Sequence, residues 1–98
     1  MIIVLAKLIP KEGKDDEIIN AALNLVGETR KEDANIEYNF DKDIEDDTYL
    51  FIEKWEDING LNNHIASDHF KNFNKVIEPL SEDMDIKVFN SEPFNLYE

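Results

Sequence analysis

Ile2 to Ile9 is a β-prone run closed by Pro10, and it predicts a strand apolar on both faces. After a charged turn, Lys11-Glu12-Gly13-Lys14, the period changes. Ile18, Ile19, Ala22, Leu23 and Val26 recur at three- and four-residue steps, predicting an amphipathic helix from Asp15 to about Lys31. Its acidic start, Asp15-Asp16-Glu17, suits the positive end of the helix dipole. Ile36, Tyr38 and Phe40 then alternate with Glu37, Asn39 and Asp41, as in a half-polar strand. An acidic hairpin tip, Asp41 to Asp47, leads into a further strand from Thr48 to Trp55. Asp57 is an N-cap candidate for a second helix with Ile58, Leu61 and Ile65 on one side. Ser67-Asp68 interrupts that pattern and offers a fresh cap for a continuation bearing Phe70, Phe73, Val76 and Ile77 up to Pro79. Asp85 to Asn90 is the last strand.

The order β-α-β-β-α-β is that of an α+β, ferredoxin-like domain: a four-stranded antiparallel sheet with its helices on one face. The other face of such a sheet ordinarily meets water and is polar. Here the first strand offers Ile3, Leu5 and Ile9 on one parity and Ile2, Val4, Ala6 and Leu8 on the other; the third offers Leu50 and Ile52 against Tyr49, Phe51 and Trp55. Both faces need cover, so the expected assembly is a homodimer whose sheets pack face to face as a dimeric α+β barrel. The expected organisation is one domain over residues 1–98, with a core of about 2–90 and a tail, 91–98, whose Phe94, Leu96 and Tyr97 are too apolar for a free end.

Composition narrows the function. Ten Lys and Arg against 23 Asp and Glu give a net charge of −13, which opposes phosphate backbones and anionic membranes and argues against both as partners. No cysteine is present, which removes disulfides, thiol nucleophiles and Cys-based metal sites. The three glycines are isolated, so no loop of the kind that cradles a nucleotide or flavin pyrophosphate exists. The N-terminal apolar run is too short for a signal or a membrane span, and a cytoplasmic location is expected.

Two groups could carry chemistry. Glu53 and Trp55 share a strand face with Tyr49 and Phe51. A carboxylate among aromatics is either a pocket group with a raised pKa or a sheet-edge residue with its head in water or on the backbone. His64 and His69 are the two histidines; five residues apart, they stand about 140° from each other on an ideal helix, outside metal-sharing spacing, so no metal is expected. A lone imidazole at His64 is either structural or an acceptor for the proton of an acidic substrate hydroxyl.

Thr29-Arg30-Lys31-Glu32, Tyr38, Glu53-Lys54-Trp55-Glu56, Leu61, His64, Ala66-Ser67-Asp68-His69-Phe70 and Phe73 follow one another in the order and spacing of a T-R-x-E turn, a strand ending in E-x-W and a helix reading L-x-x-H-x-x-S-x-H-F. Over roughly Val4 to Pro79 the chain resembles the antibiotic biosynthesis monooxygenase family, small dimeric ferredoxin-like proteins that include quinol and anthrone monooxygenases. Where the family usually has Pro-Gly after the T-R-x-E glutamate, this chain has Asp33-Ala34.

The resemblance implies a cofactor-free monooxygenase that deprotonates a phenolic or quinol aromatic and lets the anion react with O2. On that basis His64 is the expected base, Trp55, Phe70 and Phe73 the expected pocket wall, and Glu53 and His69 further substrate-binding residues. Haem-degrading relatives place a histidine where Asn74 stands here, which argues against haem chemistry. The alternative is a non-catalytic dimeric domain that binds a small molecule or serves a stress response.

Overall fold

The computed structural model describes residues 1–97. Strand β1 (Ile2–Pro10) leads through a turn to helix α1 (Asp15–Thr29), then β2 (Asn35–Lys42) and β3 (Tyr49–Trp55). Helices α2 (Ile58–Ile65) and α3 (Asp68–Ile77), a 3-10 turn (Glu78–Leu80) and β4 (Ser81–Asn90) complete the order. The sheet runs β2-β3-β1-β4 with every pair antiparallel, so the most apolar strands, β1 and β3, are central. This is the ferredoxin-like fold, with the second helical segment divided in two. The sheet of one chain does not close on itself.

Period-2 geometry decides what each strand buries. Ile2, Val4, Ala6 and Leu8 of β1 and Tyr49, Phe51, Glu53 and Trp55 of β3 point to the helices and are buried with Ile18, Ala22, Leu25, Leu61, Phe73 and Ile77. Ile3, Leu5, Leu50 and Ile52 occupy the opposite face and stay partly exposed, with no helix over them. Phe94, Leu96 and Tyr97 of the tail are likewise exposed.

Four details depart from the sequence reading. Ile36 is exposed, because β2 carries a bulge there: Asn35 faces Trp55 and Glu37 faces Lys54, leaving Ile36 as the extra residue. On α1 the buried stripe takes Leu25 and leaves Leu23 in solvent. On α2 it comprises Gly60, Leu61 and His64, while Ile58 and Ile65 lie off it. Gly60 sets that rotation, since a Cβ there would sit 2.5 Å from the Ala34 Cβ, and the helix packs its backbone against the loop before β2. Finally, β4 starts four residues earlier than the alternation at Asp85 marks, its pairing with β1 extending to Ser81 across a bulge at Ile9/Pro10.

Candidate active site

The two caps foreseen in the sequence build the site. The Asp57 side chain accepts from Gly60 N at 2.8 Å and starts α2 directly after β3. Ser67 ends α2 and starts α3: its hydroxyl donates to His64 O at 2.6 Å and accepts from Phe70 N at 3.3 Å. The chain therefore changes direction between the two histidines, and the angular separation of an ideal helix no longer applies.

Opposite this break lies the loop after α1. Arg30 anchors it by donating from Nε and Nη2 to the Tyr38 carbonyl, at 3.1 and 2.9 Å. Backbone bonds from Glu32 N to Thr29 O and from Asn35 N to Glu32 O tighten the turn. Glu32 is thereby held against both histidines. Its Oε2 lies 2.7 Å from His64 Nδ1 and 2.8 Å from His69 Nε2. With a carboxylate oxygen as acceptor, His64 Nδ1 carries the proton and Nε2 keeps its lone pair. That Nε2 is buried and has no hydrogen-bond partner. Burial holds the His64 pKa below its ordinary value, outweighing the upward pull of Glu32, so the ring is neutral near pH 7.

His64 lines a cavity of ≈ 80 Å³ between the sheet and helices α2 and α3, several times the roughly 10–15 Å³ that holds one water. Val4, Ala6, Phe51, Leu61, Phe70 and Phe73 make its apolar wall, and Ile86 and Val88 of the edge strand, both about half exposed, stand on its rim. The polar lining residues are Tyr38, Glu53, His64 and the exposed Asn74. Glu53 is buried, and its Oε1 accepts the Trp55 indole N–H at 3.0 Å. Burial pushes its pKa up to about 7, only partly offset by that hydrogen bond and reinforced by the charge of Glu32. Of the two sequence readings of Glu53, the buried pocket group is the one observed. Tyr38 is held firmly protonated by burial and by the nearby charges of Glu53 and Glu32.

Glu53, His64, Phe70 and Phe73 thus meet at one cavity. Trp55 and His69 do not line it. Trp55 is fully buried behind it, drawn there by the Glu53 carboxylate and packed 4.8 Å, ring centre to ring centre, from His64. His69 lies on the far side of Glu32 and borders a shallow groove between α1 and α3. Glu32 and Tyr38, which the sequence reading quoted only as motif residues, are the additions; the T-R-x-E pattern was the signal for Glu32.

Glu32, His64 and His69 are also the one group among the described residues that offers three metal-ligating atoms, all within 4.8 Å of one another. The contacts of 2.7 and 2.8 Å are hydrogen-bond lengths. Ligand atoms about 2.1 Å from a tetrahedral zinc stand roughly 3.4 Å apart. The cluster as packed shares protons, and an ion would have to spread it.

Fold and site together define a small α+β protein with a largely apolar, histidine-bearing aromatic cavity under its helices. The model of the antibiotic biosynthesis monooxygenase family matches residues 1–76, and the chain belongs to that family. With membership goes a monooxygenase-like function. The chain is 34% identical over 88 residues to the Bacillus subtilis protein named "Putative monooxygenase YcnE", covering 88% of this chain and 93% of the relative. Among solved structures, a conserved protein from Methanosarcina mazei Go1 superposes with a TM-score of 0.88 at 30% identity, over 93% of this chain and 92% of that one. A structure described as an antibiotic biosynthesis monooxygenase gives a TM-score of 0.88 at 27% identity, over 95% of this chain and all of the other.

Proposed function

We propose that this protein is a cofactor-independent monooxygenase that oxidises a small phenolic or quinol-type aromatic with O2. The observation that carries the reading is the buried, unpartnered Nε2 of a neutral His64 on the wall of an apolar cavity. His64 takes the hydroxyl proton, and its Nδ1–H bond to Glu32 stabilises the imidazolium that results. The substrate anion passes one electron to O2, and the two radicals join at a ring carbon. Loss of water from the hydroperoxide gives the quinone, so one oxygen atom enters the product and the other leaves as water. The protein's part is to make the anion and exclude solvent, for which Phe70, Phe73 and Phe51 supply the dry wall.

The working unit in this reading is a cytoplasmic homodimer. Ile3, Leu5, Leu50, Ile52 and Phe89 support it by sharing the helix-free face of the sheet, which a second copy would cover. Among the described residues no helix is long and apolar enough to cross a membrane.

Oxygen uptake with a panel of quinols and anthrones tests the proposal. A substrate-dependent uptake that His64→Ala lowers on the order of a hundredfold or more supports it. Ligand binding without uptake would move the non-catalytic binding domain ahead.

A further inference from the structure

The proposed oxidation uses His64 and leaves the carboxyl group of the cavity wall, Glu53, idle. Glu53 Oε1 is engaged by Trp55, but among the described residues no hydrogen bond reaches Oε2. One polar atom of this apolar cavity, the acceptor at His64 Nε2, is buried without a partner, and Glu53, with one carboxyl oxygen left free of hydrogen bonds, lines the same cavity. Both residues neighbour Tyr38 and Trp55. Tyr38 is paired with Glu53 across the sheet and lies 5.4 Å, centre to centre, from His64. Trp55 donates to Glu53 and packs against His64. No Lys or Arg lines the cavity, and the chain carries a charge of −13, so an anionic substrate has nothing to hold it.

A base and an acid on the wall of one apolar cavity are the equipment for moving a proton between carbon and oxygen. We propose that this cavity has a second, oxygen-independent activity: keto–enol tautomerisation of small uncharged carbonyl compounds that carry an acidic α-C–H. The α-C–H bond breaks and its proton goes to His64 Nε2, while the freed pair forms the C=C bond. The carbonyl π pair moves onto oxygen, which takes the proton of Glu53 Oε2. Glu53 ends as a carboxylate and His64 as an imidazolium, an ion pair in apolar surroundings that the reverse transfer discharges. Nothing is oxidised or reduced. Burial supplies both starting states, the protonated carboxyl and the neutral ring.

The probe is 2-indanone, uncharged and acidic at its α-carbons, incubated with the intact protein in D2O under argon and followed by proton NMR. The protein is expected to accelerate loss of the α-protons over buffer. His64→Gln should lower that acceleration on the order of a hundredfold, and Glu53→Gln about tenfold. In the unsubstituted protein the rate should fall above about pH 7 as Glu53 ionises, a fall that Glu53→Gln removes. That profile is read without any substitution, so a variant that fails to fold leaves the test intact. Exchange at the buffer rate, exchange equal in the parent and both folded variants, or a rate flat across pH 7 overturns the proposal. The activity shares the site of the proposed oxidation but not its oxidant. Exchange without quinol oxidation removes the monooxygenase reading alone; oxygen uptake without exchange removes this one alone.

Discussion

His64 Nδ1 and Glu32 Oε2 stand 2.7 Å apart across 32 positions of sequence, and His69 Nε2 shares the same oxygen at 2.8 Å. One carboxylate thus fixes the tautomer of the cavity histidine and pins the start of α3 to the loop after α1. The aromatic surroundings of His64, with Phe70 at 4.9 Å, Trp55 at 4.8 Å and Tyr38 at 5.4 Å between ring centres, hold the ring's plane.

Removing that carboxylate has two separable effects. Glu32→Ala leaves two imidazole N–H groups unpaired and should cost roughly 1–3 kcal/mol in chemical denaturation. Because Glu32 pulls the His64 pKa upward against burial, the same substitution should move the His64 titration, followed by NMR, further down. Glu32→Gln keeps an acceptor oxygen and should recover most of the stability but not the pKa.

Glu53 makes stability depend on pH with a definite sign. The folded protein keeps its proton up to about pH 7, whereas an ordinary glutamate loses it near 4.5. Between those values the unfolded chain binds fewer protons, so this group's contribution is complete below about 4.5 and is lost as pH rises through 7. Glu53→Gln should therefore gain on the parent by on the order of 2–4 kcal/mol between about pH 4 and about pH 8, measured by urea unfolding at each pH. His64 contributes in the opposite sense: its lowered pKa gives stability present above about 6.5 and lost on acidification. Comparing parent with variant isolates the Glu53 part.

Trp55→Phe preserves most of the packing but deletes the indole N–H that Glu53 accepts. That hydrogen bond holds the Glu53 pKa down against burial, so its loss should raise the pKa above 7, visible in carbon NMR of the carboxyl. Substrate affinity should fall less than with a cavity-lining change such as Phe73→Ala, since Trp55 stands behind the wall.

Gly60→Ala tests the seating of α2. The added methyl would meet the Ala34 Cβ at 2.5 Å and the Asp57 carboxylate at 3.5 Å, pushing the helix that carries His64 off the loop. A loss of about 1–3 kcal/mol in thermal or denaturant unfolding is expected.

Leu50→Asp or Ile52→Asp addresses the helix-free face. If two copies pack there, light scattering should find the parent as a dimer and the variants as monomers or unfolded chains, an unpaired buried charge costing roughly 3–5 kcal/mol. A parent that is monomeric at micromolar concentration would remove the barrel from the proposal.

Much of the architecture was legible because local physics is periodic. Alternation on β1 and β3, the three-and-four steps of α1, and the Asp57 and Ser67 caps follow from backbone geometry and from which side chains reach a nearby N–H. The same rule placed Glu53 and Trp55 on one face, and they prove to be hydrogen-bonded. Periodicity failed where a neighbour decided the answer. Leu25 is buried and Leu23 is not, and Ile36 is expelled by a bulge that no alternation announces.

The amino-acid sequence alone determined the elements, their order, the excess of apolar faces over helices to cover them, and the family motifs. Tertiary structure decided the chemistry. Only packing shows that Glu32 reaches His64 and His69, that His64 keeps one buried lone pair, and that Trp55 lies behind the cavity rather than on it. The reason is one of range. A strand or helix period is set within a few residues, whereas a contact across 32 or 37 positions depends on how two loops and a broken helix settle against one sheet.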